Sequence, residues 1–276
     1  MEKGPGRRWP ARSLRPPCVS TGRWPPSSLP GSPKGGNLPL KEEWSALWGA
    51  FSFFTRLPLR PLAFSPDRFV LYLPLVGAFL GGVNFLLGKT LLSPYGPEAL
   101  AFGLLLVQYF LANYFHFDGL LDTLDALAAQ GDRRRRLEIL KGPEIGALGF
   151  LFGFFHLLGQ FLALKALLVR GLGPVFFKPL LGRWFILWGL IFGRPAKEEG
   201  LGALFFGKRA LFRAGLALVP LSLFLFWFYP WETVVLWFLA YGITKFLERV
   251  FGGLTGDHLG ALCELGEALF LLSLLR

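Results

Sequence analysis

The sequence predicts an all-α fold, a polytopic membrane helix bundle of six to eight transmembrane or re-entrant helices. Three observations carry that expectation. Hydrophobic residues make up 53% of the 276 and charged residues only 17%, against about 25% charge in an ordinary soluble domain. Thirty Phe and nine Trp are more aromatic surface than one aqueous core of this size can bury. The apolar residues also fall in runs about long enough to cross ~30 Å of hydrocarbon as helices. A soluble enzyme, a disordered chain and a disulfide scaffold are thereby excluded; Cys18 and Cys263 show neither metal-ligand spacing nor a paired framework.

The elements follow in order. Residues 1–40 hold seven Lys/Arg against one Glu, with nine of the 21 prolines, and cannot bury apolar area. They are expected to form a disordered basic Pro/Gly/Ser-rich tail. It is either a basic arm near anionic lipid or the result of a start codon placed too early. Residues 41–276 are expected to form one integral membrane domain. Within it, Trp44–Leu57 is short and is expected to lie in the interface or re-enter. Six spans are expected at Phe69–Leu91, Glu98–Phe117, Ala147–Val169, Phe176–Gly193, Ala210–Tyr229 and Glu232–Val250. A last short segment runs from Ala261 to Leu275.

The net charge of +11 would suggest nucleic acid in a soluble protein, but its distribution does not. Six of the charges sit in the tail. The loops 118–145 and 194–213 hold five Lys/Arg each, whereas the turns between them are poor in basic residues. By the positive-inside rule the chain sits multi-pass in a cytoplasmic (inner) membrane, with those loops and the active site on the cytoplasmic side.

The polar residues gather in three blocks on that side. The first is His116-Phe117-Asp118-Gly119-Leu120-Leu121-Asp122-Thr123-Leu124-Asp125-Ala126. Asp118, Asp122 and Asp125 are spaced i,i+4 and i,i+3, so a helix puts all three carboxylates on one face. Like charges so placed repel, and a divalent cation relieves the repulsion; hard oxygen ligands with room for water and phosphate suit Mg²⁺. The alternative is a solvated helix end. His116 is either a ligand or base, or an interfacial histidine. The run Arg133–Arg136 with Lys141 is either a topology signal or a phosphate anchor, with Arg136 and Lys141 the candidates.

The second block holds Arg183, then Arg194 to Gly202 and Lys208. Arg183 lies inside an expected span, where an unpaired cation costs at least ~2.5 kcal/mol. It should pair with a carboxylate or a phosphate, and the phosphate is the working expectation. The third block is Gly252-Gly253-Leu254-Thr255-Gly256-Asp257-His258-Leu259-Gly260, leading to Glu264 and Glu267. Its glycines let backbone amides approach a phosphate, so Gly253, Thr255 and Gly256 are candidate binding positions. Asp257 adds a fourth carboxylate. His258 is expected at the surface.

Together these blocks resemble the cobalamin-5′-phosphate synthases, also called adenosylcobinamide-GDP ribazoletransferases. The likeness rests on Phe51–Pro58, the His116–Ala126 block, Leu137–Lys141, Ile145–Gly149, Glu198–Gly202 and Gly252–Glu267, in that order, and covers roughly Glu43 to the C-terminus. It implies a membrane enzyme that joins adenosylcobinamide-GDP to α-ribazole or its 5′-phosphate, releasing GMP with Mg²⁺ required. It also implies a late step of cobalamin biosynthesis, with Asp118, Asp122, Asp125 and Asp257 as catalytic and metal residues. The lipid bilayer is then a partner, nucleic acid is not, and a homo-oligomer or a complex with other membrane corrinoid enzymes stays open. The chain departs from the family at Leu121, where a small residue is usual. It departs again at Lys141-Gly142-Pro143, where Lys-Asp-Ser is usual, which leaves open whether Glu144 replaces that Asp.

The chemistry agrees with the residues. Displacement at a pyrophosphate needs bridged phosphate oxygens, cations for the leaving group and in-line placement of a hydroxyl. Two rivals fit less well. A CDP-alcohol phosphotransferase would show Ala-Arg where Leu121-Asp122 stands and a second Asp pair downstream. A divalent-cation transporter would put carboxylates near mid-membrane on several spans, rather than at span ends.

Overall fold

The computed structural model describes residues 39–59, 65–90, 94–142, 144–197 and 202–276. The tail 1–38 and the positions 198–201 and Pro143 of the family-like motifs lie outside them. Among the described residues no β-strand forms, and two isolated bridges join Thr55 to Ala112 and Pro195 to Leu254. The helices are α1 (Pro39–Phe54), α2 (Pro66–Phe69), α3 (Leu73–Thr90), α4 (Pro97–Leu111), α5 (Phe115–Ala128), α6 (Arg133–Ile139), α7 (Ala147–Leu168), α8 (Gly173–Phe192), α9 (Lys208–Phe228), α10 (Pro230–Phe251) and α11 (Gly256–Ser273). Single 3₁₀ turns at Val70–Tyr72 and Gly202–Phe206 connect α2 to α3 and lead into α9.

Among the described residues, four stretches are long and apolar enough to cross a membrane: Pro66–Thr90, Ala147–Leu168, Gly173–Phe192 and Lys208–Phe228. α4 is apolar but shorter. α10 and α11 carry charged residues along their length, among them Lys245, Glu248, Glu264 and Glu267. α8 is the central element. Every residue from Phe177 to Leu190 is buried, and a helix that is apolar all round belongs inside other helices. α11 and α3 pack on it most extensively, with α5 on the far side of α11. α7 and α9 lie outside and present apolar residues such as Phe150, Phe154, Leu216 and Leu223 outward, as lipid-facing helices do.

One expected span is cut short. The run 98–117 breaks at Ala112, which takes an extended conformation with ψ 149°. The cause is the Phe51–Pro58 motif. Thr55 bridges to Ala112, the Arg56 amide donates to the Leu111 carbonyl at 2.8 Å, and the Asn113 side chain donates to the Phe53 carbonyl at 3.1 Å. The backbone groups freed by unwinding α4 are thus taken up by the end of α1, and α5 starts as a separate helix. In the other direction, α11 starts at Gly256, five residues before the expected Ala261. Thr255 caps it, accepting from the His258 amide, while the Thr255 amide donates to His258 Nδ1 at 2.9 Å.

Candidate active site

α5 and α11 cross where neither carries a side chain. A Cβ on Gly119 would lie 2.6 Å from the Asp257 carbonyl oxygen, and one on Gly260 would lie 2.9 Å from the His116 Cα. Only glycine permits that approach. The crossing brings the first acidic block beside the third. Asp118 and Asp257 line one pocket of about 160 Å³. Asp122 interacts with Asp118, Asp257 and Asp125, one turn further along.

The electrostatics are those of crowded, uncompensated carboxylates. α5 and the start of α11 lie outside the four apolar spans. Burial, then the neighbouring charges of Asp118, Asp257 and Asp125, push Asp122 up to about 7. Burial also raises Asp118. Asp257 is raised by burial and by Asp118, against the opposing hydrogen bond from the Thr255 hydroxyl at 3.2 Å.

Asp125 stands apart. The Gly146 and Gly149 amides donate to its two oxygens at 2.7 Å each. It therefore caps the N-terminus of α7 from another helix, satisfying amides that α7 leaves open. Leu121, unusual for the family, is accommodated on the same side by Gly149 and Gly153, which leave room for it.

A second cavity of about 570 Å³ adjoins the first and shares Gly202, Gly256 and Asp257 with it. It is lined by Lys141, Lys197 and Thr255. Lys141 and Lys197 line the same cavity, and burial together with the neighbouring positive charge of Lys141 holds Lys197 below its ordinary value. Beyond them a basic surface cleft of about 380 Å³ adds Arg133 and Arg134. The cavity thus places two lysines beside the carboxylate of Asp257, which it shares with the smaller pocket.

Several expectations are corrected here. Arg183 does not face a phosphate cleft: it is buried and pairs with Glu267 at 2.7 Å. Lys178 is likewise buried in α8 and lies 3.0 Å from the same carboxylate. Arg136 donates to the Ala126 and Leu127 carbonyls at 3.4 and 3.0 Å, closing the C-terminus of α5, and Arg133 and Arg134 take its expected place on the basic cleft. Gly253 has φ 153° and a Cβ there would lie 2.5 Å from the Ala196 backbone. Its glycine serves the isolated bridge between Pro195 and Leu254, where the Ala196 amide donates to the Leu254 carbonyl at 2.8 Å. His258 is fully buried, because it is the other half of the α11 cap. His116 is buried too, edge-on to Phe115 with ring centroids 4.4 Å apart, and lines the pocket. Glu144 is exposed.

The sequence reading missed a second polar cluster, inside the bundle. The Tyr109 hydroxyl donates to Glu264 at 2.6 Å, and His156 lies 3.1 Å from the same carboxylate. Gln160 contacts both Tyr109 and His156. Gln108 donates to Glu267 and accepts from Asn84 at 3.2 Å. The signal was present as isolated polar residues in apolar runs, with His156 and Gln160 at i,i+4.

The cobalamin-5-phosphate synthase family matches residues 46–275. An adenosylcobinamide-GDP ribazoletransferase of Desulfitobacterium hafniense (strain Y51) is 37% identical over 243 residues, covering 82% of this chain and 94% of that protein. The enzyme of the same name in Thermodesulfovibrio yellowstonii is 32% identical over 82% of this chain and 94% of its own, and that of Shigella flexneri 34% over 83% and 98%. No solved structure matches the chain. The family match spans the acidic crossing, both cavities and the buried cluster: the chain belongs to the cobalamin-5-phosphate synthase family.

Proposed function

We infer that the chain is an adenosylcobinamide-GDP ribazoletransferase, joining the cobinamide moiety to α-ribazole or its 5′-phosphate with release of GMP. The observation that carries this reading is the juxtaposition of Asp118, Asp122 and Asp257 with Lys141 and Lys197 around two joined cavities. In the reaction an acceptor hydroxyl oxygen bonds to the phosphorus on the cobinamide side. The phosphorus–oxygen bond to GMP breaks, GMP leaves with the bridging oxygen, and the hydroxyl proton passes to a carboxylate or to water. Lys141 and Lys197 bind the negative charge that accumulates on the departing phosphate. Asp118 and Asp257, fixed by the glycine crossing, face the attacking hydroxyl.

Whether the carboxylates fit Mg²⁺ is decided by their chemistry and spacing. Among the described residues no three His, Cys, Asp or Glu converge closely enough to form a protein cage for a metal. Mg²⁺ does not require one: it is commonly held by one or two carboxylates together with waters and substrate phosphates. Asp118, Asp122 and Asp257 supply hard oxygen donors with unneutralised charge, and they would hold it. Bound there, Mg²⁺ supplies charge neutralisation of the pyrophosphate oxygens. Asp125 keeps its capping role.

The basic residues at this end of the bundle, Arg133 to Arg136, Lys141, Arg194, Lys197, Lys208, Arg209 and Arg213, support an inner-membrane protein with its site on the cytoplasmic side. Incubation of purified protein with adenosylcobinamide-GDP and α-ribazole phosphate, following GMP with and without Mg²⁺, tests the function. Magnesium-dependent GMP release that requires the acceptor is expected. GMP release independent of the acceptor would reject it.

A further inference from the structure

The two cavities that meet at Asp257 differ in character. The larger is basic. The smaller, about 160 Å³, is walled by aromatic and aliphatic side chains, with Phe53, Phe54, Phe115 and Phe205 among them and Leu190 and Leu259 alongside. Its rings pack on one another at an angle: Phe53 stands 4.9 Å from Phe54, 5.3 Å from Phe115 and 5.9 Å from Phe205, and Phe54 stands 6.4 Å from Phe205, centroid to centroid, which leaves ring faces and edges along the cavity wall. The polar side chains that reach this pocket are His116, Asp118 and Asp257.

We propose that this pocket seats the heteroaromatic base of the acceptor nucleoside, while the donor's nucleotide phosphates enter from the basic cavity. The assignment rests on the ribazoletransferase reading above. Size decides the first part. An apolar cavity of about 150 Å³ stays dry and takes a benzene ring, so a slightly larger pocket open at one end suits a bicyclic aromatic base. The corrin macrocycle is several times too large. Polarity decides the second part. The guanine of the donor carries the acceptors O6 and N7 as well as its donors, and since the carboxylates of Asp118 and Asp257 can only accept, burying those acceptors here costs free energy. A benzimidazole base has a single acceptor nitrogen and no edge donor, and it gains from offset contact with the phenyl rings.

Connectivity decides the third part. Gly202, Gly256 and Asp257 form the wall common to both cavities. A base seated among the phenylalanines therefore holds its ribose against Asp257 and Asp118. A phosphate bound by Lys141 and Lys197 arrives at the same wall from the opposite side. The base pocket thus sets the acceptor's position and makes Phe205, on the 3₁₀ turn at Gly202–Phe206, a specificity-determining residue.

The experiment uses the full-length protein with α-ribazole phosphate and with the analogue whose benzimidazole lacks both methyl groups. Phe205→Trp narrows the pocket. It should favour the unmethylated acceptor over α-ribazole phosphate by at least ~10-fold in kcat/KM relative to wild type, since one methylene-sized misfit is worth about 10–200-fold. The KM for adenosylcobinamide-GDP should stay unchanged. An unaltered acceptor ratio, or a raised donor KM with the acceptor KM unchanged, would overturn the assignment. Should Phe205→Trp be inactive, Phe205→Ala decides by binding alone. Added α-ribazole should raise the Tm of wild type and not of the variant, while GMP raises both. An equal α-ribazole shift in the two proteins would overturn the proposal. If wild type releases no GMP from the donor with any acceptor, the enzymatic reading fails, and the α-ribazole shift still reports on the pocket by itself.

Discussion

Two clusters of ionisable residues share α11, about two turns apart, and they are built on opposite rules. Inside the bundle, Glu267 meets Lys178 and Arg183, and Glu264 meets His156 and Tyr109. Each carboxylate there has cationic or hydroxyl partners. At the end of the bundle, Asp118, Asp122 and Asp257 crowd one another, and the nearby cations are held off in the adjoining cavity. The compensated cluster ties α3, α4, α7, α8 and α11 together where water cannot reach. The uncompensated one carries charge that the fold does not neutralise. In this molecule charge balance separates the carboxylates that hold the helices together from those left open at the end of the bundle.

Breaking the compensated cluster should give the largest effect. Arg183→Leu leaves Lys178 alone against the two buried carboxylates Glu264 and Glu267, and loss of one partner from a buried ion pair costs about 3–5 kcal/mol. Thermal unfolding in detergent should show that loss, with KM values unchanged in whatever protein remains folded. A normal Tm with a raised KM for the donor would reverse the comparison and return Arg183 to phosphate binding.

Next in size are the open carboxylates. Asp118→Asn, Asp122→Asn and Asp257→Asn each keep shape but remove charge, and turnover should fall at least ~10²-fold, partly recovered by excess Mg²⁺. Their Tm should be equal to or above wild type through relief of like-charge repulsion. Near-normal turnover in all three would remove the basis for the metal assignment.

A smaller effect distinguishes Asp125 from its neighbours. Asp125→Ala strips a two-amide cap from α7 and should cost about 1–2 kcal/mol of stability, while the magnesium requirement of the residual activity stays as in wild type. A shifted magnesium requirement would put Asp125 back among the ligands.

The smallest effect is on pH. A carboxyl raised to about 7 in the folded protein favours folding while protonated. That contribution is full below the ordinary carboxylate range near 4 and is lost as pH climbs from there through 7. Without divalent ion, Tm should therefore decline over that window, less so in Asp122→Asn, and Mg²⁺ should restore it at the upper end. A pH-independent difference between wild type and Asp122→Asn would show that the carboxylates do not crowd.

The helices were readable because a membrane span is a composition before it is a shape, and runs such as 147–169 admit no other reading. The acidic face was readable because i,i+4 spacing is local. What failed was long-range. Arg183 and Glu267 are 84 residues apart, and the pairing of α8 with α11 is written in no single stretch. Asp125 looks like its two neighbours until α7 returns Gly146 and Gly149 to it. The break at Ala112 was hidden because its cause lies in α1. Positions that depend on a partner helix could be flagged as needing one, as Arg183 was, without the partner being named.

The short parallel bridge between 195–196 and Leu254 acts as a splint between two connections that would otherwise move separately. Lys197 follows directly on one side of it, and Thr255, Gly256 and Asp257 follow on the other. The backbones that carry the cation and the carboxylate are therefore tied by the same two hydrogen bonds, Ala196 amide to Leu254 carbonyl and Leu254 amide to Arg194 carbonyl, although the Lys197 side chain is exposed. The separation of Lys197 from Asp257 along the cavity wall is set by that bridge.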